Sequence, residues 1–361
     1  MKWNVWVFGS FEGQFFFQNT KALYLYVAYN CPNIKAVWVT RNKQVLKYLR
    51  QNNLRAYHSS SIMGIWYCLI ARYHIVDWGK NNTNYKYQFF SKLVNMWHGI
   101  PLKRLERDIL VEPKYSQTRS KSYIRSFENE CFGKPSVMLS CSSYDREKLS
   151  SAFNVPIDFI YITGFPRNDW ITGSLPILSL DKQYLDMLTD KKKQFSKLIL
   201  YMPTFRDGHF YDEFKWITQD FVSFLKDQNS VMYIKGHVAS MSRVSFSDED
   251  NVVCLAADVD IYPLLTQFDC LITDYSSIYF DFALSGKQII HFTPELDTYR
   301  QDIRGFYIDV ESHLGGSFCR SVDQIQAALM NGMNNSQFIV DTFHVYRSDF
   351  CERVVSLLHG S

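Results

Sequence analysis

Several histidines, arginines and serines stand where this chain leaves an apolar run, and side chains of these types move protons or hold anions. His98 follows the run Lys92 to Trp97 in NMWHGIPLK, where Gly99 and Pro101, with Ile100 between them, force a turn. A histidine there titrates near neutral pH and can serve as a general base. His237 closes a second such turn, Lys235-Gly236-His237. One of the two could take a proton while the other donates to phosphate oxygens as a cation. Further turns of the same kind are Gly164-Phe165-Pro166-Arg167-Asn168-Asp169, Pro203-Thr204-Phe205-Arg206-Asp207 and Asp274-Tyr275-Ser276-Ser277. A single polar turn means little, and a lone histidine is more often structural. Besides the His98 turn, four basic or hydroxyl-bearing turns in successive units predict a cleft that receives an anion.

The turn at Asp274 has a definite physical mechanism. The run Phe268 to Thr273 ends in DYSS and opens a helix, Ile278 to Leu284. The hydroxyls and free backbone N–H groups of Ser276 and Ser277 would then form an anion site at a helix N-terminus. Asp281, four residues past Ser277, falls on the same helix face and could accept a ribose or polyol hydroxyl. The plainer alternative is a capped helix with a solvated Asp. HExxH, clustered Cys/His and paired carboxylates at metal spacing are all missing, so no metal and no cofactor is expected. The missing GxxxxGK[ST] argues against P-loop phosphoryl transfer.

These turns need strands to aim them, and the pattern supplies strands. Apolar runs and helical patterns alternate through Asn4 to Phe8, a helix after Phe15, Ala36 to Thr40, a helix from Asn42, and Ile62 to Ala71 leading into Tyr73 to Trp78. The strand before His98 follows, then Ser136 to Ser140, helix caps at Ser142 and Ser143, and Ile160 to Thr163. The Gly, Pro and Ser of Thr172 to Ser179 read as a crossing, after which five more strands run from Lys197 to Phe292. This rhythm predicts an α/β protein with parallel sheets covered by helices. The expected division is 1–172, 173–335 and a C-terminal helical segment, 336–361, that packs back on the N-terminal domain.

Composition agrees. A chain of 361 residues exceeds one core, so two domains of roughly 150 to 200 residues are expected. Hydrophobic residues at 47% with charged residues at 21% exclude a disordered chain. A net charge of +3 is too small for a nucleic-acid binder, although Lys103 to Arg125 holds seven Lys or Arg against three acids. Such a run is a solvated face, or a seat for phosphates or an anionic membrane. Eight scattered cysteines without a CxxC pair suit a reduced, cytosolic setting. No secretory signal and no apolar run of bilayer length is seen, so any membrane contact is expected to be peripheral.

Taken in order, WHGIPLK, GFPRND, MPTFRD, KGH and ITDYSSIYFDFAL resemble the motifs of the CDP-glycerol glycerophosphotransferase family of teichoic acid and capsule polymer synthases. The resemblance covers Trp97 to Leu284 and implies a GT-B architecture, two Rossmann-like domains facing an interdomain cleft. It implies that His98 is the general base and His237 the pyrophosphate contact. Gly99, Ile100, Pro101, Arg167, Pro203, Thr204, Arg206, Lys235, Gly236, Ser276, Ser277 and Asp281 match substrate-binding positions. His237 is followed by Val238, where the family often has proline. The implied partners are a CDP-glycerol donor and a lipid-linked or polymeric glycan acceptor, with no nucleic acid. The implied setting is the cytoplasm, peripheral at the inner membrane face.

Overall fold

The structure, a computed structural model, describes residues 4–109, 132–173, 175–204, 214–236, 251–256, 258–297, 305–334 and 336–360. The chain forms two compact units, Met1–Leu178 with Phe343–Ser361, and Ser179–Thr342.

In the first unit the strands are β1 (Val5–Gly9), β2 (Lys35–Thr40), β3 (Ala56–His58), β4 (Tyr73–Val76), β5 (Lys92–Asn95), β6 (Val137–Ser140) and β7 (Ile160–Ile162). They form one sheet in the order β3-β2-β1-β4-β5-β6-β7, with every strand pairing parallel. β1 is buried along its whole length, as parallel strands covered on both faces must be. The apolar run Ile62–Ile70 is a helix, opened by the Ser61 side chain accepting from Gly64 N at 3.1 Å. Ser142 caps the helix Ser143–Phe153 in a reciprocal arrangement with Asp145.

The helix Phe350–His359 packs in this same unit. Asp169 accepts the backbone N–H groups of Phe350 and Cys351 at 3.0 and 2.8 Å, satisfying free donors of the helix's first turn. Tyr73 donates its hydroxyl to Leu358 O at 2.7 Å. Gly164 lets the helix in. Its φ is +73°, and a Cβ there would stand 2.3 Å from Phe350 Cδ1.

The second unit repeats the plan with β8 (Lys197–Met202), β9 (Ser230–Ile234), β10 (Val252–Cys254), β11 (Cys270–Thr273), β12 (Gln288–Phe292) and β13 (Ser317–Cys319). Their order is β10-β9-β8-β11-β12-β13, again parallel throughout. Tyr201, Trp216, Phe221 and Phe292 fill its core, with the Trp216 ring 5.2 Å from Tyr201 and 5.0 Å from Phe292.

Both sheets begin in the middle, wind outward one way, and then return to the other side of their first strand. The chain therefore leaves β1 and β4 in opposite directions, as it does β8 and β11, and opens a crevice at the carboxyl ends of those neighbours. Among the described residues no helix is long and apolar enough to cross a membrane.

Candidate active site

The crevice of the first sheet is built around Asp77, which follows β4. Its carboxylate accepts Ser10 Oγ at 2.7 Å, Thr20 N at 3.0 Å and Thr20 Oγ1 at 2.5 Å. Ser10 follows β1, and Thr20 lies in the first turn of the helix Gln18–Asn30. One carboxylate thus ties two strand ends to a helix start. Burial pushes Asp77 up to about 7, while the bonds from Thr20 and Ser10 and the charge of Arg167 pull it down.

Beyond β5 the chain turns sharply to present His98. Asn95 accepts Trp97 N at 2.9 Å and donates to Trp78 O at 2.6 Å. Trp97 is left-handed at φ +57°, and Gly99 takes φ +155°, a region closed to residues with a Cβ. The Trp97 ring lies 4.0 Å from the His98 ring and packs on Phe153 at 4.7 Å. Ile100 and Pro101 are buried, and Pro101 O accepts the Tyr144 hydroxyl at 3.0 Å.

The His98 ring faces a cavity of about 500 Å³ lined by Phe11, Phe15, Gln18, Asp77 and Trp78 among others. It is exposed at that surface and enclosed by protein on its other sides. That enclosure, and then the Arg167 charge, push it down to about 4, against a hydrogen bond to the Asp77 backbone. Water in the cavity relieves part of the penalty, and the direction governs the chemistry: the ring is neutral at pH 7, with a lone pair free to accept a proton.

Arg167 is completely buried, bonded to Gln18 Oε1 and set 5.5 Å over the Phe165 ring. Asn19 joins the two motifs, accepting Arg167 N at 3.1 Å and donating to Trp97 O at 2.9 Å. Thus the structure brings His98, Gly99, Ile100, Pro101 and Arg167 into one assembly. In GFPRND the arginine serves this site and Asp169 serves the C-terminal helix.

In the second unit Thr204, just past β8, donates N–H at 2.8 Å and Oγ1 at 2.7 Å to Asp274 Oδ1, just past β11. Pro203, Ser276 and Ser277 are half-buried beside this junction. Ser277 precedes the helix Ile278–Ala283 in a helical conformation, and its side chain makes no cap bond. Asp281 is buried and takes the Tyr262 hydroxyl at 3.4 Å. Lys235 donates to Ala256 O at 2.8 Å, and burial pushes it down to about 8 against the charges of Asp260 and Asp258. Gly236 ends this described segment; Arg206 and His237 lie outside the described residues, as does the basic run from 110 onward.

Sequence reasoning missed Asp77, Ser10, Gln18, Asn19 and Asn95. The available signal was an Asp directly after the apolar run of β4 and polar residues opening the first helix, patterns too common to single out alone.

Two parallel sheets, each wound outward from its first strand and back, with polar turns at the switch points, define a two-domain Rossmann-like protein of the GT-B type. The chain belongs to the CDP-glycerol:poly(glycerophosphate) glycerophosphotransferase family, whose profile matches residues 1–354, and is a transferase. It is 29% identical over 379 residues to a teichoic acid poly(glycerol phosphate) polymerase of Bacillus spizizenii, covering 98% of this chain and 91% of that protein. It is 28% identical over 358 residues to the enzyme of the same description from Bacillus subtilis, covering 96% of this chain and 46% of that one. The solved structure of the wall teichoic acid polymerase TagF has the same fold, with a TM-score of 0.76 at 23% identity over 100% of this chain and 89% of that chain.

Proposed function

We propose that this chain transfers glycerol phosphate from CDP-glycerol to a hydroxyl of a lipid-linked or polymeric saccharide or polyol, releasing CMP, in teichoic-acid-like or capsule polymer synthesis. The observation that carries the reading is the cavity-facing His98, kept neutral by burial and by the charge of the buried Arg167, in a chain of this family. The acceptor oxygen attacks the β-phosphorus. Its bond to phosphorus forms as the bond to the CMP oxygen breaks, and His98 takes the hydroxyl proton. Pro203, Thr204, Lys235, Gly236, Ser276, Ser277 and Asp281 hold the donor, with Arg206 and His237 neutralising the pyrophosphate.

The test is incubation with CDP-glycerol and candidate acceptors, with mass measurement of the product. CMP release with a gain of one or more glycerol phosphate units is expected. CMP release from CDP-ribitol alone would assign the other polyol, UMP or UDP release a sugar donor, and no release at all a non-catalytic polyanion binder. The setting is the cytoplasmic face of the membrane, touched peripherally through Lys103 to Arg125. Reversing the charges of Arg119, Lys121 and Arg125 should weaken binding to anionic liposomes, and unchanged binding would leave that run a solvated face.

A further inference from the structure

Between β1 and its following helix the backbone passes through Phe11, Glu12 and Gly13 at φ +43°, +54° and +77°. Left-handed backbone is disfavoured for the first two, and it persists only where the surroundings over-determine it. They do so here. Gly13 O accepts Arg41 N at 2.8 Å and Thr40 Oγ1 at 2.7 Å, Glu12 N donates to Asn82 Oδ1 at 3.1 Å, and Ser10 bridges to Phe15.

What this fixed loop presents is aromatic. Phe15 and Phe17 stack at 5.1 Å and Phe11 meets Phe15 edge-on at 5.8 Å, while Phe16 between them turns inward onto Trp38 at 4.6 Å. Phe11 is 47% exposed, a large apolar side chain kept out of the core by a strained backbone. With Trp78, Phe11 and Phe15 wall the cavity that His98 faces. Glu12 stands exposed at its rim. Asn82 also lines it. That residue is 1% exposed, and its Nδ2 has no hydrogen-bond partner among the described residues. A buried amide donor without a partner points to an oxygen the ligand brings.

A sugar ring matches this set: its C–H face lies on aromatic faces, and its hydroxyls meet the amide and the carboxylate. A glycerol phosphate end offers no ring and brings a phosphodiester against Glu12. We propose that the cavity is the acceptor subsite and takes a neutral sugar ring, laid on Phe11, Phe15 and Trp78, with Asn82 donating to a ring substituent and the accepting hydroxyl at His98. The assignment rests on the transfer reading above and narrows the acceptor to one whose reacting hydroxyl belongs to a saccharide.

The test is saturation-transfer NMR on the full chain with two probes, neutral methyl disaccharide glycosides and a synthetic glycerol phosphate trimer, alongside CMP release from CDP-glycerol. The disaccharides should bind and the trimer should not. Phe11→Ala, and Phe11→Leu should the alanine variant prove unstable, should weaken disaccharide binding about tenfold. Asn82→Asp, which keeps the acceptor for Glu12 N and loses the donor, should act in the same direction, and Glu12→Lys should admit the trimer. Binding of the trimer alone, or disaccharide binding indifferent to Phe11 and Asn82, overturns the subsite. If that happens while CMP release is intact, only the subsite fails; disaccharide binding without CMP release for any acceptor overturns the transfer reading instead.

Discussion

Ser10 donates its hydroxyl to Asp77 at 2.7 Å, and Thr204 does the same to Asp274 at 2.7 Å in the other unit. Each pair joins the first strand of a sheet to its fourth at the C-terminal edge, so one device sets the crevice in both halves. In the second half the carboxylate also takes Thr204 N and Tyr275 N, which fixes the backbone leading into Ser276. Asp274→Ala is therefore expected to cost about 2–4 kcal/mol of stability, read by urea unfolding. It should also weaken CDP-glycerol binding, which calorimetry would measure; unchanged affinity would detach this junction from the donor.

His98→Ala should abolish transfer while CDP-glycerol binds within a fewfold of the parent. Near-normal turnover would sink the assignment of the base.

The charge of Arg167 helps hold His98 down at about 4, and a base must be deprotonated to act. Transfer should therefore show no acid limb from His98 in the unliganded enzyme until well below pH 6. Removing the cation in Arg167→Gln should move that limb to higher pH, with the His98 ring protons in NMR following it. A limb that stays in place would remove Arg167 from the electrostatics of the base.

Asn95→Ala releases the turn that keeps Trp97 left-handed. Turnover should fall about 10- to 100-fold, the scale of a misplacement near 1 Å, with little change in donor affinity. A loss confined to thermal stability would make Asn95 a fold residue only.

Two buried histidines set an acid sensitivity. His74, bonded to Thr83 Oγ1 at 2.9 Å and Cys68 O at 3.0 Å, is pushed down to about 4 by burial, and His291 is lowered for the same reason. The unfolded chain takes those protons from about pH 6.5 downward, so stability contributed above that pH is lost as pH falls toward the folded values. Asp77 and Asp145, raised to about 7 and about 6, work in reverse: their contribution is full below the unfolded carboxylate range and is lost as pH rises through those values. His74→Gln should melt below the parent at pH 7, and the gap should narrow by pH 5. A constant gap would contradict the titration.

The strand–helix rhythm and the strand-end turns were legible in sequence because parallel strands buried on both faces leave long apolar runs. The partners of those turns were not. Arg167 meets Gln18 and Asn19 across nearly 150 residues, and Asp169 caps a helix starting at Phe350, separations that no local pattern encodes. Nor does the sequence announce that Phe11 and Phe15 face a cavity while Phe16 joins the core, since consecutive phenylalanines read alike until the left-handed turn sorts them.

The segment Phe343–Ser361, which carries the helix Phe350–His359, completes a unit whose other residues precede Ser179. On the ribosome, the nascent first sheet must wait with its Asp169 carboxylate and the groove at Gly164 uncovered until the whole intervening unit has been made. A chain stalled after Thr342 would present that bare groove.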